Sequence, residues 1–419
     1  MIIAKGLEQK GYAITTDKEN TDLCIINTCT VTGQSDAKCR QLIRSVQNKN
    51  PAAKIAVVGC FSEVASNQIL EIGGIHLIIG NEEKLRLHEY VEGLENANSP
   101  IVITTPISNK PFTIETLGQF PGSTRANVKI QDGCDFLCSY CIIPVARGRS
   151  RSREKNDILR EVKELASSGV REIILTGVNI GTYYFENEGL IQLIDTLNEV
   201  SGIERLRISS IEPTTIGNEV FSRMNDGQHI LVPYLHLPLQ SANNGILEKM
   251  RRHYQYEEYR DFVVQCFEEV NNVCIGSDIL AGFPGESEDD FCDTVEKLNE
   301  LPIHYFHVFP YAERPGTRSV AIQNKISPQS IARRTATLRA LSDSKKGDYY
   351  KKQEGKVLNV LFEENEGGSD WYGYSDNYVR VMTQSKTSLT NQIKPIQITN
   401  SNPQFTTGNL SSSQPSVCD

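Results

Sequence analysis

Histidine is scarce in this 419-residue chain: seven occur in all, and none lies between His88 and His229. The gap removes the Cys/His pairing that many structural zinc modules rely on from the middle of the sequence. No run of about 18 apolar residues is present, which excludes a helical membrane span. A surplus of positive charge is missing too. The net charge is −9, so attraction to nucleic acid has to come from a local patch. The opening residues, Met1-Ile2-Ile3-Ala4-Lys5-Gly6, have neither the basic n-region nor the apolar core of a secretory signal. Eleven cysteines in such a chain, without paired spacing, predict reduced thiols and a cytoplasmic location. The length predicts two to three domains.

What is present is a concentrated run of sulfur, Cys134-Asp135-Phe136-Leu137-Cys138-Ser139-Tyr140-Cys141. Four-ligand zinc sites usually pair two such elements, and no second C-x2-C lies nearby. Three thiolates suit a [4Fe–4S] cluster that leaves one iron open to an outside ligand. The bland alternative is three core cysteines, but Gly133, Asp135 and Ser139 make poor core filler. The C-x3-C-x2-C spacing, Tyr140 and the following Ile142-Ile143-Pro144 resemble the signature of the radical S-adenosylmethionine (SAM) superfamily. That resemblance implies that the open iron chelates SAM and that its reduction yields a 5′-deoxyadenosyl radical.

Around this run the expected fold is α/β in three parts. Residues 1–105 predict an open α/β domain. Its short first helix carries Ile3 and Leu7 and stops at Gly11; strands follow at 23–26, 55–58 and 75–79, with a helix at 35–48. Cys29 and Cys60 fall at equivalent strand ends, where ligands of such sheets sit, and form a candidate second metal site; two ordinary buried thiols are the alternative. Residues 106–125 carry Pro106, Pro111, Gly118, Pro121 and Gly122 without periodicity and predict a linker.

Residues 126–350 alternate strand and helix patterns six times, with strands at 127–130, 172–176, 205–209, 234–239, 274–280 and 303–309. This predicts a partial parallel (β/α)6 barrel with its site at the carboxyl ends of the strands. The turns there supply candidate SAM contacts at Gly177, Asn179, Ser209, Glu212 and Gln240, with Tyr140 from the thiol run and the turn Gly282-Phe283-Pro284-Gly285-Glu286. Arg147, Arg149, Arg151 and Arg153 follow the thiols with no acid until Glu154, and Arg251-Arg252-His253 forms a second group. A solvated loop is the plain reading of the first set; at a site mouth it would meet RNA phosphates. Residues 351–400 predict a small β-barrel whose Trp371, Tyr372 and Tyr378 either stack on bases or fill its core. Residues 401–419, including Cys418, read as a disordered tail.

The order of these parts is similar to the methylthiotransferase family, which has an α/β domain with cluster cysteines, a radical-SAM core and a TRAM-like β-barrel. Asn27-Thr28-Cys29-Thr30-Val31-Thr32, His307-Val308-Phe309-Pro310-Tyr311 and Arg314-Pro315-Gly316-Thr317 most resemble its branch that modifies N6-threonylcarbamoyladenosine at tRNA position 37. The isopentenyladenosine and ribosomal-protein branches are alternatives, and a metal-stabilised RNA-binding protein is the non-enzyme one. The resemblance implies two [4Fe–4S] clusters, one on Cys134, Cys138 and Cys141 and an auxiliary one on Cys29 and Cys60. It also implies SAM, tRNA, an electron donor and a sulfur source as partners. The family has a third auxiliary cysteine on a strand before the first helix, and no residue here matches it; Cys24 and Cys39 are not natural replacements. The expectation is a start downstream of the authentic one, a missing first strand and a weakly held auxiliary cluster.

Overall fold

Apolar runs of strand length, separated by amphipathic helices, build two packed units. The computed structural model describes residues 2–16, 19–30, 33–95, 99–114, 124–365 and 367–411. One unit comprises Met1–Lys110, Asp132–Arg151 and Ala312–Ala321; the other comprises Pro111–Gln131, Ser152–Tyr311 and Ile322–Asp419. The thiol run thus groups with the amino-terminal part of the chain.

In the first unit, β1 (Leu23–Thr28), β2 (Lys54–Gly59), β3 (Leu77–Ile79) and β4 (Ile101–Ile103) form a parallel sheet in that order. Because side chains alternate across a strand, β2 feeds two cores. Ile55 and Val57 join Ile43 and Val46 of α2 (Gly33–Lys49) and Phe61 and Ile69 of α3 (Cys60–Leu70) on one face. Ala56 and Val58 join Leu7 of α1 (Ile2–Gln9) and Leu87 on the other. The expected helices and three strands are all present. β4 is the addition, and at three residues it is too short to show a period.

The second unit carries the six expected parallel strands. Arg205–Ile208, Glu172–Thr176 and Arg125–Lys129 form one sheet, and Tyr234–His236, Cys274–Ala281 and Tyr305–Pro310 form another. Single bridges at Leu206–Leu231 and Ser210–His236 join the two, so the strands run around a partial barrel. The helices cover one face with Ile158, Val162, Leu193, Tyr259, Val263 and Leu298, all at most 1% exposed. Each such burial contributes about 1.5–3 kcal/mol. Residues 111–114, expected as linker, instead pack on this unit: Phe112 bridges to Arg153, and the amide of Ile114 donates to Asp157 at 2.7 Å. Gly118, Pro121 and Gly122 lie outside the described residues, as do Val31, Thr32 and Cys418.

The carboxyl-terminal strands Val357–Asn365, Asp370–Ser375, Arg380–Gln384, Ile393–Ser401 and Thr406–Leu410 close a barrel. The last of these corrects the expectation of a disordered tail over 401–419. Its composition is polar, yet Thr406 is fully buried and the strand pairs on both sides, so backbone ladders replace side-chain hydrophobicity. Two arginines of the Arg205–Ile208 strand anchor this barrel. Arg205 donates to the carbonyls of Tyr374 (3.0 Å) and Asn359 (2.8 Å), and Arg207 to that of Asp376 (3.0 Å). Glu172, fully buried, balances Arg207 at 2.8 Å. Burial alone would raise the Glu172 pKa, but Arg207 and then Arg205 outweigh it and hold the carboxylate ionised.

Candidate cluster and cofactor site

The thiol loop is shaped by backbone constraints readable in its glycines. Gly133 has φ 72°, and a side-chain carbon there would lie 1.9 Å from the carbonyl oxygen of Arg149, so only glycine fits. The amide of Cys134 then donates to the carbonyl of Gly148 at 3.1 Å. Leu137 takes the left-handed conformation, φ 51°, and the amide of Cys141 donates to the carbonyl of Cys138 at 3.1 Å. The backbone of Ser319 donates to Ser139 O at 2.8 Å and clamps the loop's far side. Cys134, Cys138 and Cys141 are all partly exposed and none is in a disulfide. The amide of Phe136, 3.5 Å from Cys134 Sγ, adds the kind of donor that stabilises a ligating thiolate.

Cys29 and Cys60 belong to the same unit. Parallel pairing sets Thr28 opposite Gly59, so the two cysteines leave neighbouring strand ends. Cys29 is exposed and Cys60 is buried at the start of α3. Gly59 has φ 102°, and a side-chain carbon there would meet Thr28 O at 2.7 Å, which lets the two strand ends close together. Asn81 Nδ2 donates to Cys60 Sγ at 3.4 Å and to the carbonyl of Ala146 at 2.6 Å. The guanidinium of Arg147 lies between Cys60 and Asp132, with 3.1 Å to the latter. Asn81 and Arg147 therefore tie the Cys60 strand end to the segment bearing the three thiols. Neither was singled out for that role in the sequence, because only folding brings positions 60, 81 and 147 together. Cys39 was set aside as helical, yet its thiol donates to the carbonyl of Cys29 at 3.7 Å, and burial raises its pKa.

In the second unit the expected SAM contacts sit at the carboxyl ends of three strands. Gln131, fully buried, accepts the amides of Val178 and Asn179 at 2.9 Å each and holds the Gly177 turn in place. Asn179 is 1% exposed. Its Oδ1 accepts from Thr215 at 3.2 Å, while its Nδ2 is buried without a protein partner and so offers a donor to a ligand. Ser209 continues its strand, donating to Leu175 O at 3.1 Å. Glu212 is engaged by Arg252. Gln240 has φ 70° and donates to Asp278 O at 2.8 Å, a conformation that turns the chain at the strand end. Glu286 accepts the amide of Gly282 at 3.1 Å and pairs with Arg334 at 2.6 Å; burial pushes its pKa up against that pairing. Tyr140 lies half-buried in the thiol loop.

The RNA-facing expectations need correction at several positions. Arg153 is fully buried between Asp157 (2.5 Å) and Glu161, so it is a core ion pair and cannot meet phosphate. Arg151 is 9% exposed and engaged by Glu82 (3.0 Å) and Asp132 (3.5 Å). Arg147 serves Asp132 and Cys60. Arg149 alone of the four is well exposed, its pair with Asp135 lying open to water. Trp371, 7% exposed, fills the small barrel's core and donates to Ser385 O at 3.3 Å, so base stacking is closed to it. Tyr378 is half-buried against Tyr234 and Tyr374 and lines a cavity of about 200 Å³ with Tyr305, His307, Lys346 and Arg380.

Comparison with known proteins agrees with this construction. Residues 128–298 match the Radical SAM superfamily, and residues 1–80 match the uncharacterized protein family UPF0004. The threonylcarbamoyladenosine tRNA methylthiotransferase of Bacillus subtilis (strain 168) is 32% identical over 93% of this chain and 88% of its own length. That of Aquifex aeolicus (strain VF5) is 35% identical over 85% and 88%. The tRNA-2-methylthio-N(6)-dimethylallyladenosine synthase of Syntrophus aciditrophicus (strain SB) is 31% identical over 86% and 80%. Among solved structures, the radical SAM methyltransferase TsrM of Kitasatospora setae superposes with a TM-score of 0.55 at 14% identity, covering 87% of this chain and 75% of that one, which speaks to fold alone. With a radical SAM match over its centre and relatives of this extent, the chain belongs to the radical-SAM methylthiotransferase family.

Proposed function

We propose that this chain inserts a methylthio group at C2 of N6-threonylcarbamoyladenosine at position 37 of tRNA, in the cytoplasm, and that Cys29 and Cys60 hold an auxiliary [4Fe–4S] cluster beside the SAM-binding one. The observation that carries the reading is the presence of both cysteine sets in one packed unit, with Arg147 joining Asp132 of the thiol run to Cys60. The Bacillus and Aquifex relatives are named for this nucleoside. The C2–H bond of adenine is neither acidic nor activated, so side-chain acid–base chemistry cannot break it. Bound to the three-thiol loop, the cluster and SAM supply a carbon radical equal to that bond. The chain's own residues bind, orient and shield. The thiol loop is set by Gly133 and Gly148; in the second unit, Asn179, Ser209, Glu212 and Gln240 present polar groups at the strand ends. An adenosine in the anticodon loop leaves its stack at small cost, and Arg149 and Tyr378 are the remaining RNA-facing candidates. An electron donor and a sulfur source come from outside the chain.

The dimethylallyladenosine relative keeps one competing substrate in view. Nucleoside analysis of tRNA from a strain lacking the gene separates them. Loss of the methylthio group from threonylcarbamoyladenosine alone supports the proposal. Loss from the isopentenyl nucleoside, or unchanged tRNA with an unmodified ribosomal protein, overturns it.

A further inference from the structure

We propose that His236, Asp278 and His307 form a binding site for a divalent cation of the zinc and iron(II) class, one that uses no cysteine. The three residues stand on adjacent parallel strands, with Asp278 directly opposite His307 and His236 opposite Gly276. Along the Cys274–Ala281 strand, Ile275 and Ile279 pack with the helices, so Gly276 and Asp278 point to the other face. Gly276 makes room: a side-chain carbon there would lie 2.8 Å from His236 Nδ1 and 2.5 Å from the Tyr305 ring.

One ligand atom from each residue lies within 4.8 Å of the others, a grouping no other three metal-binding side chains among the described residues achieve. His236 Nε2 and Asp278 Oδ1 are 3.0 Å apart. Two ligands at about 2.1 Å from one ion, at right angles, are separated by about 3.0 Å, so an ion can replace the shared proton with little movement. His307 stacks on His236 with ring centroids 5.5 Å apart and closes the site by rotation of an exposed side chain.

The outer shell is present as well. Tyr305 Oη lies 3.5 Å from His236 Nδ1 and 2.6 Å from Tyr234 Oη. With Nε2 on the ion, the Nδ1–H donates to Tyr305, which fixes tautomer and ring plane. Two imidazoles and one carboxylate leave an open position for water. Lys346, on the cavity side of His307, opposes a cation and points to moderate affinity.

The test is anaerobic calorimetric titration of Zn2+ into protein with its cysteine clusters loaded, so that those thiols are already engaged. One ion per chain with a micromolar Kd is expected, weakened at least about tenfold by His307→Ala and by Asp278→Asn. Should a variant fail to fold, Co2+ added to the unaltered chain decides: visible d–d bands without sulfur-to-cobalt charge transfer support the site. Absence of saturable binding, binding unchanged in both folded variants, or a thiolate charge-transfer band overturns it.

Discussion

Arg314 donates a hydrogen bond of 2.5 Å to the carbonyl oxygen of Thr30, the residue after Cys29, and pairs its other amine with Asp36 at the start of α2. Arg314 is 6% exposed, so this is a buried clasp on the loop that presents Cys29. Removing one partner of a buried pair costs about 3–5 kcal/mol. Arg314→Ala should therefore lower the thermal midpoint clearly, and Arg314→Lys, lacking the planar fork, should recover only part. An unchanged melt for the alanine variant would show that the clasp does not matter.

The two cysteine sets should separate experimentally. On the proposed assignment, replacing Cys138 with Ala removes a cluster ligand; about four irons per chain and all 5′-deoxyadenosine formation should be lost. Replacing Cys60 with Ala should spare SAM cleavage while ending methylthiolation. Iron analysis and product chromatography read both, and loss of SAM cleavage in the Cys60 variant would contradict the division of roles.

The arginine run should split by burial. Arg153→Ala breaks the pairs with Asp157 and Glu161 and should cost stability, again about 3–5 kcal/mol. Arg149→Ala should leave the melt alone, weaken tRNA binding and reduce the salt slope by about one. A salt slope that falls only for the Arg153 variant would reverse the assignment.

His304 predicts a pH dependence. Its Nδ1 accepts the amide of Ile275 at 2.9 Å, and burial pushes its pKa from 6.5 down to about 4. Between those values the unfolded chain takes up a proton that the folded chain refuses. Stability is therefore full above pH 6.5 and falls toward pH 4, by a total on the order of 3 kcal/mol. Denaturant titrations across that window should show a shallower slope for His304→Asn; equal slopes would assign the loss to other groups.

Cysteine reactivity offers a simpler check. Burial pushes the thiols of Cys266 and Cys274 up to about 12, whereas Cys292 is exposed. Brief iodoacetamide treatment of the native protein at pH 8, read by peptide mass spectrometry, should label Cys292 and spare the other two. Labelling of Cys266 before Cys292 would mean that the strand–helix core opens.

Elements with a strong period were legible before folding was considered. All six barrel strands and the α2 helix follow their apolar spacing, because burial on one face repeats every two or about 3.6 residues. The Thr406–Leu410 strand was not, since its partners in the closed barrel satisfy a polar segment that no local pattern marks. Arg153 and Trp371 misled for a related reason: type and order in the chain suggested RNA, and whether a side chain meets solvent or Asp157 depends on neighbours far away.

The sequence by itself determined the chemistry. Three thiols in eight residues, with glycines where the backbone must turn left-handed or pass close to another strand, mark a candidate cluster loop. Tertiary structure alone decided which distant groups meet. Asn81 and Arg147 reach Cys60, Arg314 reaches Thr30, and His236, Asp278 and His307 meet across three strands. Such contacts depend on strand order and register, which arise from how whole elements pack and leave no mark in the spacing of any one segment.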